Sequence, residues 1–324
     1  MSTLIVPCLG RKFINGIPQY LHRHPNGKLL AERSIEGVYS DIYDRVLMVL
    51  LESDVIKFQA KEIVEKELQK YPLEVVVLEE MTTGPAETIY RVLCDLDIVG
   101  QVVVKDVDNF IKINSTPQGN FVAGLDLNLW ESDIHKLRDK SFLILNEQGN
   151  LLDIIEKQVR SDVICLGLYG FSKAEDFIDA FRKLNDMSYP ITKLYVSHVI
   201  SYLIGYLERV FRYVSVSEYE NWGDERLWKD MQKNYTLYFI DLDNILPENR
   251  VLTEEVRKKL AILQKKGASF IGYTVEGDEY KASALKKLQD AGLKFIKIIY
   301  GCPYSERKEI IESNEELKNK VIEL

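Results

Sequence analysis

Residues 4–21 read Leu-Ile-Val-Pro-Cys-Leu-Gly-Arg-Lys-Phe-Ile-Asn-Gly-Ile-Pro-Gln-Tyr-Leu, and the opening of this stretch sets the fold class. The apolar run Leu4–Val6 predicts a buried strand that stops at Pro7. A loop carrying Gly10, Arg11 and Lys12 follows. A buried strand that runs into a Gly-containing basic loop is a common way to hold a triphosphate. Backbone N–H groups and cationic side chains meet phosphate oxygens there.

Outward from this stretch, short apolar runs alternate with helical patterns. Strands are expected at 45–51, 73–78, 101–104, 121–127, 141–145, 163–169, 211–216, 237–240, 269–273 and 295–299. Helices are expected at 56–70, 86–96, 174–185, 194–207, 253–266 and 281–291. Continuous apolar strands between helices predict an α/β fold with mostly parallel sheet covered on both faces. The polar stretch Asp224–Asn234 precedes a fresh apolar run. The domain boundary is placed there, giving domains 1–232 and 233–324.

A length of 324 residues suits two domains. A net charge of −8 argues against a general nucleic-acid or anionic-membrane binder. Cys8, Cys94, Cys165 and Cys302 are widely spaced, which disfavours a zinc cage or a disulfide framework. No apolar run approaches the roughly 20 residues needed to span a bilayer, so a cytoplasmic protein without membrane insertion is expected. A homodimer is compatible with the sequence.

Four stretches carry candidate chemistry. Lys105-Asp106-Val107-Asp108-Asn109-Phe110 follows an apolar strand. Carboxylates at that end of a parallel strand sit where α/β sheets bind ligands. Two oxygen donors spaced i, i+2 can share a hard divalent cation with phosphates, although a solvated turn has the same pattern. In Thr82-Thr83-Gly84-Pro85-Ala86-Glu87-Thr88, Gly84 permits close backbone approach and Pro85 opens a helix. Glu156-Lys157 reads as an exposed ion pair. Asn221, in Glu220-Asn221-Trp222-Gly223, reads as an oxygen ligand or a turn residue.

Taken together and in this order, these motifs resemble the sugar-phosphate nucleotidyltransferases, over about residues 3 to 230. The branch found in bacterial capsule and surface-polysaccharide loci is the most similar. The resemblance implies a Rossmann-like domain with a mixed, mostly parallel sheet. It implies Mg²⁺-dependent transfer of a nucleotidyl group from a nucleoside triphosphate to a phosphorylated small molecule. Asp106, Asp108 and Asn221 would be metal ligands. Gly84 and Pro85 would lie against the nucleobase, and Lys157 would meet substrate phosphate. Gly10, Arg11 and Lys12 would serve the triphosphate. Two features depart from the family: the first loop is about two residues short, and Gln19 stands where a Lys is usual.

A second resemblance covers about residues 235 to 324. Tyr238-Phe239-Ile240-Asp241-Leu242-Asp243-Asn244, with Thr274 ending a later strand, is similar to capless haloacid dehalogenase phosphohydrolases. It implies Asp241 as a phosphoryl-accepting nucleophile, Asp243 as general acid/base and Thr274 as a phosphate-holding hydroxyl, with Asp241 and Asp243 also binding Mg²⁺. Three readings stay open at this level: a transferase with an attached phosphatase, a phosphatase alone, and a degenerate protein that binds a nucleotide or a partner.

Overall fold

The computed structural model describes residues 2–10, 13–14, 16–130, 137–187, 193–233, 237–246, 252–265, 267–277, 286–288, 290–293 and 295–301. The chain divides into two compact units. One is Met1–His22 with Leu29–Trp228, and the other is Arg23–Lys28 with Lys229–Leu324.

The first unit carries strands β1 (Ser2–Pro7), β2 (Phe13–Ile14), β3 (Ile17–Pro18), β4 (Arg45–Leu51), β5 (Leu73–Leu78), β6 (Gln101–Lys105), β7 (Asn109–Lys112), β8 (Phe121–Asp126), β9 (Phe142–Leu145), β10 (Leu151–Ile155), β11 (Val163–Phe171), β12 (Arg212–Ser215) and β13 (Glu218–Asn221). Its helices are α1 (Leu30–Glu36), α2 (Glu52–Phe58), α3 (Ala60–Glu67), α4 (Pro85–Asp95), α5 (Ala174–Asp186) and α6 (Val196–Gly205), and α7 (Glu225–Lys233) runs across the division.

β1 is the hub of the main sheet. It pairs in parallel with β4 and β6, and β5 pairs in parallel with β4. β11 runs antiparallel to β6, β8 and β9, and β10 runs antiparallel to β9. The sheet is therefore mixed, with a parallel half that carries the ends of β1 and β6. Side chains alternate between two cores. Leu4 and Val6 join Val46, Met48 and Leu50 on one face, while Ile5 joins Leu47 and Val49 on the other. Helices α4, α5 and α6 cover the second face through Ile89, Val92, Phe177 and Val199. Helices α1 and α3 cover the first through Ala31, Ile35 and Val64. Burial on both faces is why these strands read as unbroken apolar runs. Each fully buried Leu or Ile contributes roughly 1.5–3 kcal/mol of transfer free energy.

Several elements differ from the sequence expectation. The helix expected at 56–70 is two helices, because Gln59 adopts a left-handed conformation with φ of 54° between α2 and α3. Its N–H still donates to the Val55 carbonyl at 3.0 Å and closes α2. The stretch 224–234, read as a polar linker, contains α7. The Leu227 N–H donates to Asp224 Oδ1 at 2.8 Å, and Trp228 and Met231 are buried. Two apolar residues one turn apart in a charged segment give little periodicity. The short strands β7, β10 and β13 and helix α1 also lacked a period long enough to read.

In the second unit β14 (Leu237–Asp241), β15 (Ser269–Tyr273) and β16 (Phe295–Ile299) run parallel in that order. Helices α8 (Leu242–Ile245) and α9 (Glu254–Lys265) accompany them. Ile240, Leu242, Ile245, Leu260 and Phe270 share one core. Residues 302–324 and the first part of the helix expected at 281–291 lie outside the described residues. Among the described residues no helix is long and apolar enough to cross a membrane.

Candidate active site

β6 leaves the sheet at Lys105, whose side chain is fully buried. Its ammonium donates to the Asp106 carbonyl at 2.5 Å, the Asn109 carbonyl at 3.0 Å and Asn109 Oδ1 at 2.9 Å. Burial lowers its pKa to about 8, against the opposing pull of Asp106 and Asp108. Lys105 thus pins the Asp106–Asn109 turn from beneath. The Asp106 N–H donates to the Gly167 carbonyl at 2.7 Å. Gly167 has φ of +71°, and a Cβ there would stand 2.2 Å from Asp106 Oδ2. Both facts require glycine beside that carboxylate.

A two-stranded ribbon brings distant chain to the same turn. β13 pairs with β7 in antiparallel register, with Asn221 opposite Asn109 and Glu220 opposite Phe110. The next residue, Trp222, is fully buried. Its backbone N–H donates to the Asp108 carbonyl at 3.2 Å and its indole N–H to the Val107 carbonyl at 3.1 Å. Asn221 Oδ1 accepts from the Gly223 N–H at 2.9 Å. Asp106, Asp108 and Asn221 are therefore neighbours, joined through the buried Trp222. Among the described residues no group of three or more His, Cys, Asp or Glu side chains could hold a metal ion. The donor set here is two carboxylates and one amide.

Lys140 is a further cation at this turn. Its ammonium lies 5.6 Å from the Tyr219 ring centroid. Burial works against its charge, but Tyr219, Asp108 and Asp106 outweigh burial and raise its pKa. The Lys140 carbonyl accepts from the Lys157 N–H at 3.1 Å. Glu156 and Lys157 do not pair with each other. Glu156 Oε2 accepts from Ser141 Oγ at 2.5 Å and Ser197 Oγ at 2.6 Å. Lys157 Nζ donates to Tyr195 Oη at 2.7 Å and stands 4.4 Å over that ring. The Tyr195 hydrogen bond, ahead of opposing burial, raises its pKa.

Gly84 caps α4, with Pro85 at the first helical position. A Cβ on Gly84 would lie 2.6 Å from the Leu194 carbonyl oxygen. The close approach that this glycine permits is thus made by the chain ahead of α6. Thr83 donates through N–H and Oγ1 to Glu87 Oε2, each at 2.6 Å, and the Arg91 guanidinium donates to Glu87 Oε1.

At the end of β1, Gly10 is exposed, and Arg11 and Lys12 lie outside the described residues. Cys8 is buried, and burial followed by Asp54 pushes its thiol pKa up, which disfavours the thiolate. Gln19 is 4% exposed, and among the described residues its Nε2 has no hydrogen-bond partner. His24 is buried, and its Nδ1 accepts from the Asn26 N–H at 3.1 Å.

The second unit brings Asp241, Asp243 and Thr274 together. β14 and β15 run in parallel with Asp241 opposite Tyr273. Asp241 Oδ1 accepts from the Asp243 N–H at 3.0 Å. Asp243 Oδ1 accepts from Thr274 Oγ1 at 2.5 Å, and Oδ2 accepts from the Val275 N–H at 3.0 Å.

Lys140 and the bracing role of Gly167 are not foreseen in the sequence, where Lys105 and Trp222 stand in motifs without a role in the turn. Lys105 carried a readable signal, since a lysine that follows three consecutive valines in a buried strand must find acceptors or stay neutral.

No family model matches the sequence, and no curated protein matches it. Solved structures do. A nucleoside-diphosphate-sugar pyrophosphorylase from Vibrio cholerae RC9 is 19% identical with a TM-score of 0.58, covering 72% of this chain and 100% of that one. A UDP-glucose pyrophosphorylase complexed with UDP-glucose is 14% identical with a TM-score of 0.54, covering 72% and 97%. An inositol-1-phosphate CTP transferase from T. maritima is 12% identical with a TM-score of 0.53, covering 71% and 96%. The chain therefore carries, over about seven-tenths of its length, the fold of the sugar nucleotidyltransferases.

Proposed function

We propose that this protein transfers a nucleotidyl group from a nucleoside triphosphate to a phosphorylated small molecule, a sugar phosphate or close analogue, and releases pyrophosphate. The observation that carries this reading is the gathering of Asp106, Asp108 and Asn221 at the end of β6, in a chain with this fold. The names of the similar solved proteins point to the same chemistry.

The donor set suits a hard divalent cation, Mg²⁺ above all, because every donor is oxygen. Asp106, Asp108 and Asn221 would hold it. Asn221 Oδ1 keeps a second lone pair beyond the Gly223 N–H. The cation, when bound, neutralises charge on phosphate oxygens. The chain's own groups do the positioning. Lys157 and Lys140 offer ammonium donors to phosphate, and Lys157 has two N–H groups beyond the one given to Tyr195. Gly84 and Pro85 flank the nucleobase, while Gly10, Arg11 and Lys12 serve the triphosphate. The unpartnered Gln19 amide is a neutral donor for a triphosphate oxygen. A phosphate oxygen of the acceptor bonds to the α-phosphorus while the bond to the bridging oxygen breaks, and pyrophosphate departs with that electron pair. The product class fits cytoplasmic precursor supply for surface polysaccharide.

The test is incubation with Mg²⁺, each of CTP, UTP, GTP and ATP, and a panel of phosphorylated sugars and polyols, following pyrophosphate. Release with at least one pair supports the reading, and none with any pair rejects it for that panel. A second reading, phosphohydrolysis by the second unit, is favoured by the meeting of Asp241, Asp243 and Thr274. It assigns Asp241 as nucleophile and predicts phosphate release from small phosphomonoesters that Asp241→Asn abolishes.

A further inference from the structure

The ribbon that delivers Asn221 is also held from helix α1, by the Arg33 guanidinium. Arg33 projects from α1 and donates through Nη2 to Glu220 Oε1 at 3.0 Å and through Nε to Glu220 Oε2 at 3.4 Å. Its Nη1 donates to Glu36 Oε2 at 2.8 Å, a second residue of the same helix. The plane of the guanidinium also sits over Phe110, with Cζ 3.4 Å from the ring centroid. Glu220 and Phe110 face each other across the ribbon, one step from the pair Asn221 and Asn109. The Arg33 side chain is 13% exposed. Gly37, just past α1, is equally tight, since a Cβ there would stand 2.2 Å from the Ile111 carbonyl oxygen.

A fork that grips a carboxylate with two N–H groups and stacks on an aromatic face fixes direction as well as distance. Here both contacts fall on opposite strands of one ribbon. Rotation or sliding of β13 against β7 would break one contact or the other. We propose that Arg33 is a positioning residue for the cation site. Acting through Glu220 and Phe110, it sets the Asn221 oxygen against Asp106 and Asp108. This inference rests on the reading of those three residues as cation ligands. Partners that orient a ligand from behind typically change metal affinity by about 10–100-fold when removed.

The test is titration of the full chain with Mn²⁺, read by the loss of the free-ion electron paramagnetic resonance signal. The variants are Arg33→Met, Arg33→Lys, Glu220→Gln and Asp106→Asn, each checked for native near-UV circular dichroism. Arg33→Met is expected to weaken Mn²⁺ binding about tenfold and Glu220→Gln by less, and the double variant no more than Arg33→Met alone, since that variant already removes the Glu220 contact. Arg33→Lys keeps the charge but loses fork and stack, so it weakens binding as well. If Arg33→Met does not fold, Arg33→Lys and Glu220→Gln carry the test. Mn²⁺ affinity within twofold of wild type in the folded variants, with binding lost in Asp106→Asn, overturns the role of Arg33 alone. Unchanged binding in Asp106→Asn overturns the cation site itself.

Discussion

Asp106-Val107-Asp108 and Asp241-Leu242-Asp243 repeat one pattern at the ends of two parallel strands, and they are fastened differently. The first turn is gripped through its main chain. Lys105 and the Trp222 indole and backbone N–H groups donate to its carbonyls, and the Asp106 N–H donates to Gly167. In the second turn the carboxylates are themselves the fasteners. Asp241 accepts from the Asp243 N–H, and Asp243 takes the Thr274 hydroxyl and the Val275 N–H. The first turn is not held by its backbone alone, since Asp108 Oδ1 accepts from Asn109 Nδ2 at 3.2 Å, so the two turns differ in how much of their fastening falls on carboxylates. A turn held by its carboxylates must first give up contacts with its own chain.

Four substitutions or conditions bear on that contrast. The largest expected effect is on activity. Asp106→Asn removes one charge from the first turn and leaves its backbone grip intact. Pyrophosphate release should fall about 10²–10³-fold with an unchanged melting temperature. A fall in stability equal to that in activity would make Asp106 a fastener, like Asp243. Next comes Gly167→Ala. The added methyl meets Asp106, and the positive φ strains the backbone, so a loss of about 2–4 kcal/mol in urea unfolding is expected.

Thr274→Val probes the second turn. It deprives Asp243 of a donor and should cost about 1–3 kcal/mol, with faster hydrogen exchange in β14 and β15. Unchanged exchange would mean that the Thr274 contact does not fasten the turn. The smallest effect concerns His198. Burial lowers its pKa from 6.5, ahead of opposing Glu156, and its Nδ1 accepts the Tyr195 N–H at 3.2 Å. The unfolded chain then holds more protons than the folded one just below pH 6.5, so stability is present above that pH and declines as pH falls. His198→Asn, which keeps an acceptor, should flatten the pH dependence of the melting temperature by about 1 °C.

The central strands of the main sheet were legible because β1, β4 and β6 are buried on both faces. The strands expected at 45–51, 73–78 and 269–273 are found with those bounds. The antiparallel placement of β11 was not legible, since an apolar run does not record direction. The ribbon β7–β13 escaped because Asn109–Lys112 and Glu218–Asn221 are short and mix polar with apolar residues. Yet that ribbon unites the candidate site. The motifs named Asp106, Asp108 and Asn221 individually. Only long-range pairing tells that Asn221 sits beside Asn109, that Trp222 bonds the turn, and that Arg33 holds Glu220. For Gly84 the sequence foresaw a close approach, and the fold supplies its partner, the Leu194 carbonyl.

The most direct test of the central claim is crystallographic. Crystals grown with Mn²⁺ and a non-hydrolysable nucleoside triphosphate should be measured at a wavelength that excites manganese. The expected result is an anomalous peak coordinated by Asp106 and Asp108 with triphosphate oxygens on the same ion. A peak only between Asp241 and Asp243, or triphosphate bound with no ion at the first turn, would contradict it.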